Sequence, residues 1–329
     1  MHSRGLPTSV SASGGVRYRR GGARQRAATF RSRSTLLLLL LLLCVGAAFL
    51  LAWRSLLSPP PAPRPPPFCG SPPPLVCAHG GDTTAGAMAN TAAAYAAALD
   101  NPAVNCVEVD VSRARDTALV ALHTRQLLAL AGGEFERVGD ARLAQLLELG
   151  EGDRRVLTFE QALASLAGKG LAAITVDIKD GPPLGSAGLA ADVGRMVNAA
   201  NCSECVVWSR DDVVVAELVA AASVRVGGGG AAVGFVLMNE TAASRRDGMH
   251  RFPRPRVVGA SALAAHWPLV TPRLVKAAAA KGVRVFGWTA NEEHMTDPMV
   301  TAGAFGIVTD DPAMVAGRVA VLRAVCPAV

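Results

Sequence analysis

No aspartate or glutamate occurs before Asp82, although the chain is 329 residues long and carries 26 acidic residues against 33 lysines and arginines. Charge is sparse throughout, at 18% of residues, and half of the residues are apolar, which excludes a disordered or solvating chain as the main reading. The length suits one large domain or two small ones. The basic residues of segment 1–81 are ten arginines. The remaining 23 basic residues face all 26 acidic ones, so the net charge of +7 and the pI near 9.4 come from the tail, and the rest of the chain is slightly acidic. A strongly basic chain ordinarily suggests a nucleic-acid or anionic-membrane partner. Nucleic acid is disfavoured here, because the excess basic charge sits in the tail and no basic patch is interleaved with aromatic residues.

The tail divides into three. Residues 1–34 are rich in Arg, Ser and Gly, with little apolar content, and read as a disordered segment. Leu36–Trp53 is an uninterrupted apolar run of 18 residues, eight of them consecutive leucines, so 35–57 is expected to be a single transmembrane helix. Residues 58–74 are Pro-rich and read as an extended spacer. Eight arginines precede the span, and only Arg54 and Arg64 follow it closely. The positive-inside rule then places the N-terminus in the cytosol and the folded part in a lumen or outside the cell. The competing readings are a cleaved signal peptide, which normally has a shorter apolar region, and an organelle transit peptide, which is also Arg- and Ser-rich.

Two triplets, Asn201-Cys202-Ser203 and Asn239-Glu240-Thr241, fit the N-glycosylation pattern. Cys44 lies within the apolar run. Six cysteines lie beyond it (Cys69, Cys77, Cys106, Cys202, Cys205 and Cys326), an even number compatible with disulfides in an oxidising lumen. Cys202-x-x-Cys205 has the spacing of a local disulfide, a redox pair or half a zinc site. The lack of a second Cys-x-x-Cys disfavours the last.

Residues 75–329 alternate short β-branched runs with longer Ala-rich amphipathic segments. Strands are expected at Leu75–His79, Cys106–Val111, Ile174–Ile178, Val206–Trp208, Val233–Met238, Val257–Ser261, Val283–Trp288 and Gly306–Thr309. Helices are expected at Thr91–Leu99, Leu189–Ala200, Val213–Ala222, Pro272–Lys281 and Ala313–Val325, and Gly227–Gly230 reads as a flexible turn. Thr271-Pro272 and Asp311-Pro312 each place a capping residue before a proline at the first helical position. Eight strand–helix units in this length predict an α/β fold, a (β/α)8 TIM barrel, preceded by the transmembrane helix.

In such a barrel, chemistry sits at the C-terminal ends of the strands. The first strand ends at His79. On the second, Glu108 and Asp110 share one face while the valines take the other. Two adjacent carboxylates repel unless a cation joins them, and a hard divalent ion such as Mg²⁺ or Ca²⁺ prefers oxygen ligands. Ala118–Leu122 leads into His123, and the third main strand carries Asp177 and Lys179 on one face. The seventh ends in Trp288-Thr289-Ala290-Asn291 and the eighth in Thr309-Asp310-Asp311. Taken singly, each has a plain structural explanation: a solvated strand face, an ion pair, or a helix cap. It is their joint placement at strand ends that points to a site.

These motifs resemble, in order and spacing, the glycerophosphodiester phosphodiesterases of the phospholipase-C-like phosphodiesterase superfamily, from about Val76 to Ala313. The matching segments are His79-Gly80-Gly81, Ala89-Asn90-Thr91, Glu108-Val109-Asp110, His123-Thr124, Asp177-Ile178-Lys179, Trp288-Thr289-Ala290-Asn291 and Gly306 to Pro312. The His-Gly-Gly-Asp opening and the anchor resemble a plant-type, membrane-anchored branch. The resemblance implies metal-dependent hydrolysis of glycerophosphodiesters, such as glycerophosphocholine or glycerophosphoethanolamine, to sn-glycerol 3-phosphate and an alcohol. It implies His79 and His123 as the acid–base pair, and Glu108, Asp110 and Asp177 as ligands of Mg²⁺ or Ca²⁺. It further implies Lys179 at the phosphate and Trp288 and Asn291 on the substrate side. Three positions depart from the family pattern: Gly80 stands for Arg, Thr124 for Asp, and Asp177 for Glu. The alternatives are a catalytically weak barrel that binds phospholipid-derived ligands, or a related phosphodiesterase acting on lysophospholipids or phosphoinositides.

Overall fold

The computed structural model describes residues 23–57, 66–223, 231–252 and 258–326. It divides into two units, Met1–Arg64 and Pro65–Val329. In the second, β1 (Leu75–His79), β2 (Cys106–Arg113), β5 (Ala173–Lys179), β6 (Cys205–Ser209), β7 (Ala232–Leu237), β8 (Ala262–His266), β9 (Arg284–Trp288) and β10 (Gly306–Thr309) run parallel in that spatial order. β1 pairs with both β10 and β2, so the sheet closes into an eight-stranded barrel. The short strands β3 (Leu119–Ala121) and β4 (Leu157–Thr158) extend it antiparallel from the C-terminal end of β2.

Alternation along the strands sorts the core into two layers. Val107, Val109 and Val111 of β2, with Ile174, Val176 and Ile178 of β5, point outward into the larger core shared with the helices. Inside the barrel, Cys77, Cys106, Ala173, Val206, Trp208, Val236, Ala262, Ala264, Phe286 and Val308 form a smaller plug. Parallel strands buried on both faces require such continuous apolar runs. The charged exceptions, Glu108 and Asp110, face inward at the C-terminal end of the barrel.

Seven of the eight expected strands stand where the sequence placed them, to within two residues at either end. The sixth does not. Val257 lies outside the described residues, 258–261 is not strand, and Val258 is exposed. The strand is instead Ala262–His266, whose alanines carry no β-branched signature. It is selected by close packing of small side chains between β7 and β9. The expected helix starts are borne out: the Thr271 hydroxyl accepts from Leu274 N at 3.2 Å, and Asp311 Oδ1 accepts from Met314 N at 3.0 Å. Gly227–Gly230 lies outside the described residues.

In the first unit, one helix spans Ala23–Leu57. It begins within the stretch read as disordered, because 23–45 contains neither glycine nor proline to stop it. Residues 1–22 lie outside the described residues. Leu36–Leu43 are all more than half exposed. Among the described residues, no helix is long and apolar enough to cross a membrane.

The Pro-rich spacer is shorter than 58–74. Residues 58–65 lie outside the described residues, but Pro67–Gly70 forms a 3-10 turn with Phe68 buried. Cys69 is bonded to Cys326, and Arg323 donates to the carbonyls of Phe68 (3.0 Å) and Ser71 (2.8 Å). Composition suggested an extended segment; a distant cysteine and arginine pin it to the barrel. Two further disulfides, Cys77–Cys106 between β1 and β2 and Cys202–Cys205 before β6, pair every cysteine beyond the apolar run.

Candidate active site

Strand register builds the site. His79 of β1 pairs with Glu108 of β2, Asp110 of β2 with Asp177 of β5, and Ser112 with Lys179. Parallel pairing without a stagger therefore sets these side chains beside one another at one barrel mouth. Glu108 and Asp110 are almost fully buried, which carboxylates tolerate only when paired or hydrogen-bonded. Glu108 Oε2 accepts from Gly80 N at 3.0 Å. Asp110 Oδ2 accepts from Asn90 Nδ2 at 2.8 Å, and Asn90 Oδ1 accepts from Asp110 N at 3.0 Å. The Tyr95 hydroxyl also donates to Asn90 Oδ1, at 3.2 Å, so Asn90 is a buried clamp on β2. Lys179 Nζ lies 2.7 Å from Asp110 Oδ1 and is bonded to Asp177.

Each histidine is held by a different partner, and the partners assign the tautomers. His79 Nδ1 donates to Asp310 Oδ1 at 2.7 Å. Asp310 is fixed by Asn291, whose Nδ2 donates to Asp310 Oδ2 (2.6 Å) and whose Oδ1 accepts from Asp310 N (2.9 Å). His79 Nε2 faces Arg125 Nη2 at 3.0 Å and accepts from it. His123 caps the helix Thr124–Ala131: its Nδ1 accepts from Arg125 N at 3.1 Å, and Gln126 Oε1 accepts from His123 N at 2.7 Å. With Nδ1 an acceptor, the proton of neutral His123 sits on Nε2.

The electrostatics push the two imidazoles apart. Burial works against a charged His79, but the Asp310 hydrogen bond and the charges of Glu108 and Asp110 outweigh it, so its pKa is raised. Burial lowers that of His123 to about 4, with Lys179 and Arg125 opposing the pull of Asp110. Burial and the neighbouring Asp110 raise Glu108. Asp110 resists its own burial and is held far below the usual carboxylate range by Lys179 and the surrounding cationic groups. Burial acts against Lys179 too, but Asp110, Asp177 and Glu108 keep it charged. Divergent environments for two like groups are the pattern of an acid–base pair.

The donor set suits a hard divalent cation. One ligand atom each of His79, Glu108 and Asp110 lie within 4.8 Å of one another. Asp177 Oδ1 is buried without a hydrogen-bond partner, and four carboxylates, those of Glu108, Asp110, Asp177 and Asp310, gather at this barrel mouth. Oxygen ligands and negative charge are what Mg²⁺ or Ca²⁺ requires. Of the expected ligands, Glu108 and Asp110 lie together beside His79, and Asp177, opposite Asp110 in the strand register, is paired with Lys179 through Oδ2.

These groups open onto a cavity of about 340 Å³. It is lined by His79, Glu108, His123, Arg125, Asp177 and Lys179 together with Trp208, Arg210, Val236, Met238, Glu240 and Trp288. Trp288 is therefore placed as expected, with its indole Nε1 buried and unpartnered. Lys179 lines the cavity but spends its charge on Asp110 and Asp177. The Asn291 amide is bonded to Asp310, so it holds the carboxylate behind His79. Sequence reasoning gave no role to three groups. Asp310 stood among the strand-end residues, with a helix cap as its plain alternative, but Asp311 does the capping. Arg125 carries no motif of its own. His266, whose ring centroid is 5.2 Å from that of Trp288, ends the strand that the β-branched pattern misplaced.

The profile of the Glycerophosphoryl diester phosphodiesterase family matches residues 79–314. The chain is 34% identical over 257 residues to the Arabidopsis thaliana glycerophosphodiester phosphodiesterase GDPD4, covering 76% of this chain and 74% of that one. Its fold is similar to that of a glycerophosphodiester phosphodiesterase from Parabacteroides distasonis, with TM-score 0.59, 17% identity, and 77% and 99% of the two chains covered. It is likewise similar to an Oleispira antarctica phosphodiesterase in complex with the product sn-glycerol-3-phosphate, with TM-score 0.57, 18% identity, and 75% and 97% covered. The profile takes in both histidines and all the inward carboxylates, and with the 34% relative it settles the point: the chain belongs to the glycerophosphoryl diester phosphodiesterase family.

Proposed function

We propose that the protein hydrolyses glycerophosphodiesters to sn-glycerol 3-phosphate and the free alcohol. The observation that carries this is the pair of histidines with opposed environments across the buried Glu108–Asp110 carboxylates in a family-matched barrel mouth. His79, backed by Asp310, is the base: it takes the proton of the attacking hydroxyl at Nε2. His123 completes the acid–base pair: its Nε2–H hydrogen-bonds the leaving oxygen, and the proton taken up by His79 passes to the leaving alkoxide. A divalent cation held by the Glu108 and Asp110 carboxylates would supply charge stabilisation to the phosphate. Trp288 walls off water beside the leaving group.

The test is release of glycerol 3-phosphate from glycerophosphocholine and glycerophosphoethanolamine, with Mg²⁺ or Ca²⁺ titrated against a chelator. No turnover on either substrate with either ion would refute the reading. His79→Ala or His123→Ala is expected to lower kcat by about two to four orders of magnitude. Undiminished turnover in both variants would remove the assigned roles.

The helix Ala23–Leu57 is, in the same reading, a membrane anchor with the barrel on the lumenal or extracellular side. Three features support this: the apolar run with its exposed leucines, the arginines that precede it, and the pairing of all six later cysteines, which needs an oxidising compartment. Of the two glycosylation triplets, Asn201 is exposed, whereas Asn239 is half-buried with Oδ1 2.8 Å from His266 Nδ1. One glycan, lost in Asn201→Gln, is the expected result on endoglycosidase treatment. An unglycosylated protein released from membranes by alkaline carbonate would refute the anchor and its orientation.

A further inference from the structure

We propose that Arg125 is the phosphate-binding arginine of this site, its guanidinium turning from His79 Nε2 onto a phosphoryl oxygen when substrate binds. The assignment rests on the substrate class proposed above and adds a residue that the sequence motifs do not mark.

The loop after β1 offers the phosphate no basic side chain. It reads His79-Gly80-Gly81-Asp82, and Gly80 cannot carry one in this conformation: its φ is +68°, and a Cβ there would lie 2.7 Å from Ala89 Cβ. Two other cations line the cavity, Arg210 from the loop after β6 and Lys179, which is held between Asp110 and Asp177. Arg125 differs from both. Its side chain is about half exposed, lines the cavity, and places Nη2 3.0 Å from His79 Nε2 and 3.5 Å from Asp110 Oδ2. Its backbone N–H is fixed on His123 Nδ1, so the residue is anchored between the two histidines.

The His79 contact is a resting one. A guanidinium does not give up its proton, so while it donates to Nε2 that nitrogen cannot serve as the base. A phosphodiester monoanion entering the cavity is the better acceptor, because hydrogen bonds between ions of opposite charge are shorter and stronger than those to a neutral imidazole. One movement of the side chain therefore does two things: it binds the phosphate, and it frees His79 Nε2 to take a proton. Planar, multi-donor geometry favours Arg over Lys in this place.

The experiment uses the full chain and its Arg125→Ala and Arg125→Lys variants, with matched thermal unfolding to establish that both are folded. Calorimetric titration with inorganic phosphate and with sn-glycerol 3-phosphate reads binding without turnover, and steady-state kinetics on glycerophosphocholine reads kcat and KM. Arg125→Ala is expected to weaken binding of both anions and to raise KM by about 10- to 100-fold, the scale of a lost charge-assisted hydrogen bond, with Arg125→Lys between it and the parent. Anion affinity and KM within twofold of the parent in Arg125→Ala would overturn the proposal. So would a fall in kcat alone, since that would place Arg125 on His79 and not on the phosphate. If the parent binds both anions through Arg125 but turns over no glycerophosphodiester, the proposed activity fails while this assignment stands.

Discussion

Gly80 is a close-packed point of the site, and Gly80→Ala tests the packing that holds it. The residue adopts φ +68°, where a side chain meets strain of roughly 1–2 kcal/mol. Its Cβ would also meet Ala89 Cβ at 2.7 Å and Asn90 N at 3.2 Å, an overlap of the kind that costs about 1–3 kcal/mol. The sum is a destabilisation of about 2–5 kcal/mol, read as a lower midpoint in urea or thermal unfolding. The effect on activity should exceed the effect on stability. Gly80 N donates to Glu108, and Gly80 O accepts from Asn90 N at 2.6 Å, so any shift of this turn moves a carboxylate and the clamp on Asp110. Gly282→Ala is the control for strain alone, since φ is +71° there but nothing lies within 4 Å of its Cβ. It should lose only about 1–2 kcal/mol and keep full turnover. Equal losses in the two variants, or a Gly80→Ala protein with parental stability and kcat, would refute the contact geometry on which the site is built.

Removing the Cys69–Cys326 bond with Cys69→Ser opens a loop spanning 257 positions and should lower stability by about 2–5 kcal/mol, measured by denaturant unfolding, while kcat at low temperature is unchanged because neither cysteine lines the cavity. Lys179→Met strips the cation from Asp110 and Asp177 and should destabilise the protein by about 3 kcal/mol in chelator. Excess Mg²⁺ or Ca²⁺ should recover part of that loss, and an equal loss with and without the ions would speak against a cation on these carboxylates. Asp82 accepts from Thr84 Oγ1 (2.6 Å), Thr84 N (3.0 Å) and Asn101 Nδ2 (2.7 Å), and these bonds outweigh its burial and lower its pKa. A depressed carboxyl stabilises the fold fully above its unfolded pKa near 4 and loses that contribution as pH falls through the folded value. The gap in unfolding midpoint between the parent and Asp82→Asn should therefore be widest near neutrality and close toward pH 3, and a constant gap would remove the linkage.

Much of the barrel was legible because parallel strands buried on both faces must be runs of β-branched residues. The runs at Cys106–Val111 and Ile174–Ile178 could hardly be anything else. Period-two alternation also put Glu108 and Asp110 on one face without any structure, since successive side chains in a strand point oppositely. Likewise, Thr271 and Asp311 announced their helices through local capping chemistry that needs no tertiary context.

What failed in the sequence failed for a common reason. β8 is made of alanines whose strand conformation is imposed by β7 and β9, and so a local pattern could not find it. The spacer 66–74 lost its freedom to Cys326 and Arg323, more than 250 positions away.

The chain by itself determined the strand rhythm, the paired carboxylates, the two histidines and the apolar run, because each of these is a property of neighbouring residues. Only the tertiary structure decided that Asp310 stands behind His79, that Asp177 pairs with Lys179, that Asn291 holds Asp310, and that Arg125 reaches His79. Those are distances between residues on different strands and loops, and barrel closure alone sets them.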